Sequence, residues 1–277
     1  MTDRITSYQH QGLTFDVIDS GPLDGKPVVL LHGFPETAKI WQGTSAILNA
    51  QGFRTFALNQ RGYSLGAQPK GRRAYRTSLL VSDVVALIDL IAEPVYLIGH
   101  DWGAVVAWDV AAKVPEKIKH LVTIAVPHRA AFLRAFIQGN QALKSYYIYL
   151  FQLPKLPEFL FEKVLPISQK LLKSTGMTSA QLNDFQQEMV NENRLTYALN
   201  WYRAAWMDSP TQLFKPIHVP TLFIFGKHDV AISEAGVKLN PQYVKAPYKE
   251  VIMDATHWMP VQNAEEMTAH ILQHIAV

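Results

Sequence analysis

Gly99-His100-Asp101-Trp102-Gly103 sets a carboxylate between two glycines. The stretch follows Pro94-Val95-Tyr96-Leu97-Ile98, a short apolar run that reads as a buried strand. It precedes Ala104-Val105-Val106-Ala107-Trp108, small and apolar, which reads as a packed helix. A strand that turns this sharply into a helix excludes side chains at the flanking positions and lifts the central one clear of the sheet, as in a nucleophile elbow. A serine there would attack an acyl carbon. A carboxylate is a weak base that attacks saturated carbon and is left as an alkyl ester, which water opens at the carboxyl carbon.

That second step needs a base, an orienting acid and donors for an oxyanion. His257 stands in Asp254-Ala255-Thr256-His257-Trp258, and Asp229 closes Phe225-Gly226-Lys227-His228-Asp229. Each follows a different apolar run, in the order nucleophile, acid, histidine used by α/β-hydrolases. A single Asp or His is more often structural; three in this order point to His257 activating water while Asp229 holds its imidazole. In His32-Gly33-Phe34-Pro35-Glu36, Gly33 permits close backbone approach and Pro35 fixes the turn without an N–H. The backbone N–H groups of Phe34 and Trp102 are then the oxyanion donors. Two substrate classes carry a leaving group on saturated carbon, epoxides and alkyl halides. An epoxide oxygen requires O–H donors, a halide N–H donors. Aromatic stretches at Ser145–Gln152 and Leu199–Arg203 could supply either, although aromatics at such spacing are more often core.

The elements that must hold these residues follow from the apolar pattern. Strands are expected near Tyr8 and over 13–19, 28–31, 53–58, 94–98, 118–125, 221–225 and 250–253. Helices are expected over about 37–49, 79–91 and 265–275, with a further one after the elbow. This alternation predicts an α/β fold with a mostly parallel eight-stranded sheet. From about Arg129 to Leu213 no buried strand is evident, only helical patterns broken by Pro154, Pro157 and Pro166. So long an excursion between strands predicts an inserted helical cap over 129–213, dividing a core of 1–128 and 214–277.

Composition narrows the function class. Of 277 residues, 48% are hydrophobic and 18% charged, with 26 basic against 23 acidic residues and a net charge of +3. The basic residues are scattered rather than striped, so no nucleic-acid partner is expected. There is no cysteine, hence no disulfide or thiolate chemistry. Met1 to Ser7 lacks the apolar core of a signal peptide, and the apolar region Leu79 to Ile98 is interrupted by Asp83, Asp89 and Glu93. A cytoplasmic protein without a membrane partner, monomeric or homodimeric, is the expectation. No zinc-ligand spacing or phosphate loop is present, so neither metal nor cofactor is expected.

Together, His32-Gly33-Phe34-Pro35-Glu36, Gly99-His100-Asp101-Trp102-Gly103, Phe151-Gln152-Leu153-Pro154 and Asn200-Trp201-Tyr202-Arg203 resemble the α/β-hydrolase-fold epoxide hydrolases over nearly the whole chain. The resemblance implies conversion of an apolar epoxide and water to a vicinal diol. It also implies two cap tyrosines that polarise the oxirane oxygen, matching Tyr147 and Tyr202, with Tyr146 the alternative to Tyr147. Pro35, Tyr146 and Trp201 are the implied substrate contacts. The chain departs from the family pattern at Asn59-Gln60 before Arg61-Gly62-Tyr63, at Thr256 before the histidine, and at Gln262. Haloalkane dehalogenases also place Trp after the nucleophilic Asp, but their common Asn after His-Gly is Phe34 here. Fluoroacetate dehalogenases share the Phe-Pro pair but usually carry Arg after the nucleophile. A haloalkane or haloacid dehalogenase, or a non-catalytic ligand-binding member of the fold, are the alternatives.

Overall fold

A computed structural model describes residues 3–209, 211 and 213–275. Met1, Thr2, Pro210, Gln212, Ala276 and Val277 lie outside the described residues, and with them small parts of the expected 1–128, 129–213 and 214–277 segments. Eight strands form one sheet: β1 (Ser7–His10), β2 (Leu13–Ser20), β3 (Lys26–Leu31), β4 (Phe53–Leu58), β5 (Val95–His100), β6 (Ile118–Ile124), β7 (Thr221–Gly226) and β8 (Tyr248–Met253). The spatial order is β1-β2-β4-β3-β5-β6-β7-β8. The β1–β2 and β2–β4 pairs are antiparallel and every other pair is parallel. All eight strands fall where the apolar runs predict them.

The helices are α1 (Gln42–Ala50), α2 (Thr77–Ile91), α3 (Trp102–Lys113), α4 (Arg129–Gln138), α5 (Gln141–Lys144), α6 (Tyr146–Phe151), α7 (Leu156–Lys163), α8 (Leu165–Ser174), α9 (Ser179–Phe185), α10 (Leu195–Ala204), α11 (Glu234–Leu239), α12 (Met259–Gln262) and α13 (Ala264–Ile275). The single helix expected over 37–49 is instead a 3₁₀ turn, Ala38–Trp41, running into α1. Thr37 caps that turn through its side chain. Between β6 and β7 the described chain from Arg129 to Ala204 is helical, with a π-helical turn at Gln186–Asn191.

The central strands are buried on both faces, as their continuous Val/Leu/Ile runs require. Alternation along β3 shows how. Val29 and Leu31 join the cluster that includes Leu80, Val84 and Leu87 of α2 and Val106 and Val110 of α3. Val28 and Leu30 join the opposite cluster, with Trp41, Leu48 of α1 and Met267 and Ile271 of α13. After β3 the chain moves to β4 on one side and returns to β5 on the other. In a parallel sheet, the carboxyl ends of strands that flank such a reversal open a crevice. Asp101 sits at that point.

Candidate active site

Asp101 links β5 directly to α3 with φ 51° and ψ −119°. A non-glycine residue holds such a conformation at about 1–3 kcal/mol, so surrounding packing must enforce it. The enforcement comes from close backbone approach. A Cβ on Gly99 would strike the Gly103 carbonyl, and one on Gly103 would strike the Leu31 carbonyl. Gly33 is as constrained, since its Cβ would run into the Asp101 carboxylate. The backbone N–H of Phe34 consequently reaches Asp101 Oδ1 at 2.8 Å, beside a cis Phe34–Pro35 peptide. Trp102 opens α3, and first-turn N–H groups have no partner within their own helix.

The other carboxylate oxygen, Oδ2, lies 3.6 Å from His257 Nε2. On the far side of the ring, Nδ1 donates to Asp229 Oδ2 at 2.7 Å. Asp229 Oδ1 accepts from the N–H groups of Ala231 (2.7 Å) and Ile232 (3.0 Å), which fix the carboxylate plane. Lys144 of α5 donates to the carbonyls of Asp229 and Ile232 at 2.7 and 2.6 Å, tying this loop to the helical segment. His100 Nε2 donates to the His257 carbonyl at 2.9 Å, and its Nδ1 stands 3.5 Å from Glu36 Oε2.

The charges are arranged as an imidazole between two carboxylates. Burial disfavours the His257 imidazolium, but Asp229 and Asp101 outweigh it and hold its pKa well above the ordinary value. Burial likewise pushes Asp101 upward. The hydrogen bond and charge of His257, the charge of His100 and the Phe34 N–H overcome it, so this carboxyl lies below its ordinary range. Asp101 is therefore ionised at neutral pH, as attack on an electrophilic carbon demands.

Opposite the carboxylate stand Tyr147 of α6 and Tyr202 of α10, with ring centroids 6.1 Å apart. Burial raises both phenol pKa values, and the Asp101 charge raises them further. The Trp102 indole, directed at the Tyr202 oxygen, works the other way. Both tyrosines and Asp101 line two adjoining chambers. One continues between Val105, Phe132, Leu133 and Ile148; the other between Phe34, Pro35, Phe151 and Trp258. Tyr146 is exposed and edges the second chamber, whereas Tyr147 packs against Phe151 and Tyr202 beside the carboxylate. Trp201 is a correction: it is not a lining residue. Its ring lies behind Trp102 and its indole N–H donates to the Arg61 carbonyl at 2.8 Å.

Several surrounding residues were not singled out from the sequence. Arg129 reaches the first chamber while ion-paired to Asp109 at 2.6 Å, and Trp258 walls the second while bonded to Thr175. Neither carries a local signal, because both depend on how the helical segment folds back. The departures at Thr256 and Gln262 meet each other: Thr256 Oγ1 donates to Gln262 Oε1 at 3.0 Å. Gln262 Nε2 then donates to the Gly176 carbonyl and to Gln181 Oε1, both at 2.8 Å. The loop carrying His257 is thereby fastened to the α8–α9 connection. Among the described residues no cluster of three potential metal ligands occurs.

The geometry has close counterparts. Residues 26–264 match the sequence model of the α/β hydrolase fold family. An AB hydrolase superfamily protein of Bacillus subtilis is 32% identical, covering 95% of each chain. Epoxide hydrolase 3 of Xenopus tropicalis is 31% identical over 92% of this chain and 73% of its own length. The crystal structure of an epoxide hydrolase from Vigna radiata, 26% identical, superposes with a TM-score of 0.79 over 98% of this chain and 97% of that one. The chain belongs to the α/β-hydrolase-fold epoxide hydrolase family and is a hydrolase.

Proposed function

We propose that the protein converts an apolar epoxide to a vicinal diol through a covalent ester on Asp101. The observation that carries this reading is the opposition of one ionised carboxylate, Asp101, to two phenols, Tyr147 and Tyr202, across a single apolar crevice. Oδ2 of Asp101 attacks one oxirane carbon as the C–O bond breaks, and the oxirane oxygen takes its proton from a tyrosine. The raised phenol pKa values suit this timing. Asp101 is one cause of the rise, so forming the neutral ester makes each phenol a stronger acid just as its proton is needed.

Hydrolysis follows at the Asp101 carboxyl carbon. His257 removes a proton from water, Asp229 holds the imidazole through Nδ1, and the oxyanion on Oδ1 is met by the Phe34 N–H and that of Trp102. Collapse of the tetrahedral intermediate expels the diol oxygen, which takes the proton from His257. Asp101 is left as the carboxylic acid, and loss of its proton to solvent as the tyrosinate takes one up restores both groups. In this scheme residues 129–213 act as a cap: they bring both phenols and most of the apolar lining over the carboxyl ends of the strands. Two O–H donors, Tyr147 and Tyr202, line the crevice with Asp101, which sets the dehalogenase reading second.

The test is single turnover with enzyme in excess in heavy-oxygen water. Both diol oxygens should be unlabelled and the label should appear in Asp101 by peptide mass spectrometry. Labelled diol at the first turnover would mean direct attack by water and would overturn the ester. Halide released from short haloalkanes without any diol from epoxides would select the dehalogenase.

A further inference from the structure

The outer face of the helical segment carries large apolar side chains where a water-facing surface would carry polar ones. On α6, Tyr146 and Tyr149 are exposed at 58% and 60%, and Leu153, just past the end of the helix, is exposed as well. The next residues, Pro154, Lys155 and Leu156, are all exposed, with Lys155 in the left-handed region at φ 64°. Leu153 and Leu156 thus stand exposed close to an exposed lysine. On α7, Phe159 is 55% exposed and shares a face with Leu156, and α8 adds exposed Ile167. Helix α6 packs on α7 and α7 on α8, so the rows adjoin. Soluble surfaces rarely gather apolar side chains in this way unless something covers them.

Charge indicates what covers it. Lys155, Lys163, Lys170 and Lys173 are exposed along the same three helices, and no carboxylate among the described residues pairs with any of them. Of the two acids in this stretch, Glu158 is taken up by Arg203 at 2.8 Å, leaving half-buried Glu162 against four free ammonium groups. Exposed aromatic and leucine side chains ringed by lysines match the chemistry of a lipid interface with anionic headgroups. The patch also meets the active-site crevice: Tyr146 and exposed Val230 edge the second chamber.

We propose that the α6–α8 face docks on anionic bilayer surfaces and sets the mouth of the second chamber against the lipid. The attachment is peripheral, since no helix of the described residues is long and apolar enough to cross a membrane. The lysines draw the face to the headgroups while Tyr149, Leu153, Leu156 and Phe159 enter the boundary with the acyl chains. A lipid-dissolved apolar substrate would then reach Asp101 without crossing water. That delivery rests on the epoxide reading; docking itself does not.

The experiment is sedimentation of the whole chain with phosphatidylcholine vesicles, with and without phosphatidylglycerol, and without substrate. Partition onto the phosphatidylglycerol vesicles, weakened by salt, is expected, with little onto phosphatidylcholine alone. Lys155→Gln with Lys163→Gln should weaken it about 25-fold, at roughly fivefold per surface lysine. Leu153→Ser with Leu156→Ser should abolish it while leaving turnover in vesicle-free buffer unchanged. Absent partition, or equal partition onto both vesicle types, overturns the proposal. So does self-association in vesicle-free buffer that the leucine substitutions remove, because the face then covers a second copy of the chain.

Discussion

Replacing Tyr202 with Phe should separate the two steps of the proposed reaction, because its hydroxyl has a role in only one of them in that scheme. The ring would stay in place: its centroid lies 5.3 Å from Phe34, 5.1 Å from Trp102 and 5.0 Å from Phe151, all edge-to-face. Only the oxygen is lost, and with it one of two phenols facing the oxirane oxygen. Removing one pre-positioned donor from a developing oxyanion slows a reaction about 10²–10³-fold. With Tyr147 still in place the lower end applies, about 100-fold on ester formation, or ~2.7 kcal/mol of barrier. Hydrolysis of the ester uses His257, Asp229 and the donors on Asp101 Oδ1, so its rate should hold. Stopped-flow tryptophan fluorescence is the assay, since Trp102 adjoins the reacting centre. In the variant the phase for ester formation should slow about 100-fold and the accumulated ester should fall, because formation slows while decay does not. Slower ester decay with unchanged formation would refute the assignment and place Tyr202 in the hydrolytic step. Unchanged rates for both steps would mean that the oxirane oxygen takes its proton elsewhere.

Asp229→Asn should stop the reaction at the ester, slowing its decay on the order of 10⁴-fold, as the equivalent change does in serine-protease triads. In the proposed hydrolysis neutral His257 is the active form, and once Asp101 is esterified Asp229 is the carboxylate that still raises its pKa. Decay in the wild type should therefore fall as pH drops through the His257 pKa of the ester form, and the limb should move to lower pH in the variant; an unmoved limb in single-turnover decay would assign it to another group. Because burial and the Asp101 charge raise both phenols, ester formation should show no alkaline loss up to pH about 10, the ordinary tyrosine value. A formation rate that declines below pH 9 would contradict the proton donors. Away from the chemistry, Arg61 and Asp83 form a buried two-pronged pair at 2.8 and 2.7 Å. Asp83→Asn should lower unfolding free energy by about 3–5 kcal/mol in denaturant titration, by leaving the guanidinium uncompensated. A loss below 1 kcal/mol would show that water or the Ala74 carbonyl, which accepts from Arg61 at 3.0 Å, suffices as partner.

How much of this was legible beforehand depended on whether a residue's surroundings are local in sequence. The sheet was, because two-sided burial writes itself as continuous runs such as Val28 to Leu31 and Val95 to Ile98. The positions of the crevice residues from the core were legible too, since Asp101, Asp229 and His257 follow the ends of β5, β7 and β8 by one, three and four residues and strand ends converge in a parallel sheet. The helical segment was legible only in kind. Tyr146-Tyr147-Ile148-Tyr149 has no polar position to mark its outer side, so nothing in it distinguishes the inward phenol from the outward ones. The rotation of α6 is set by Phe151, which packs on Phe34 and Tyr202 from other elements. Trp201 failed for the same reason: Arg61 and Tyr63, far away in the chain, draw its indole behind Trp102 instead of into the chamber. Gln262 shows the limit most sharply. By sequence it is an odd polar residue after the histidine; in the fold its amide spans to Gly176 and Gln181 and fastens the His257 loop to the helices above it. Sequence can place the proposed reacting groups wherever the backbone alone aims them. Where a side chain is aimed by contacts between the helical segment and the sheet, its role becomes readable only once those contacts exist.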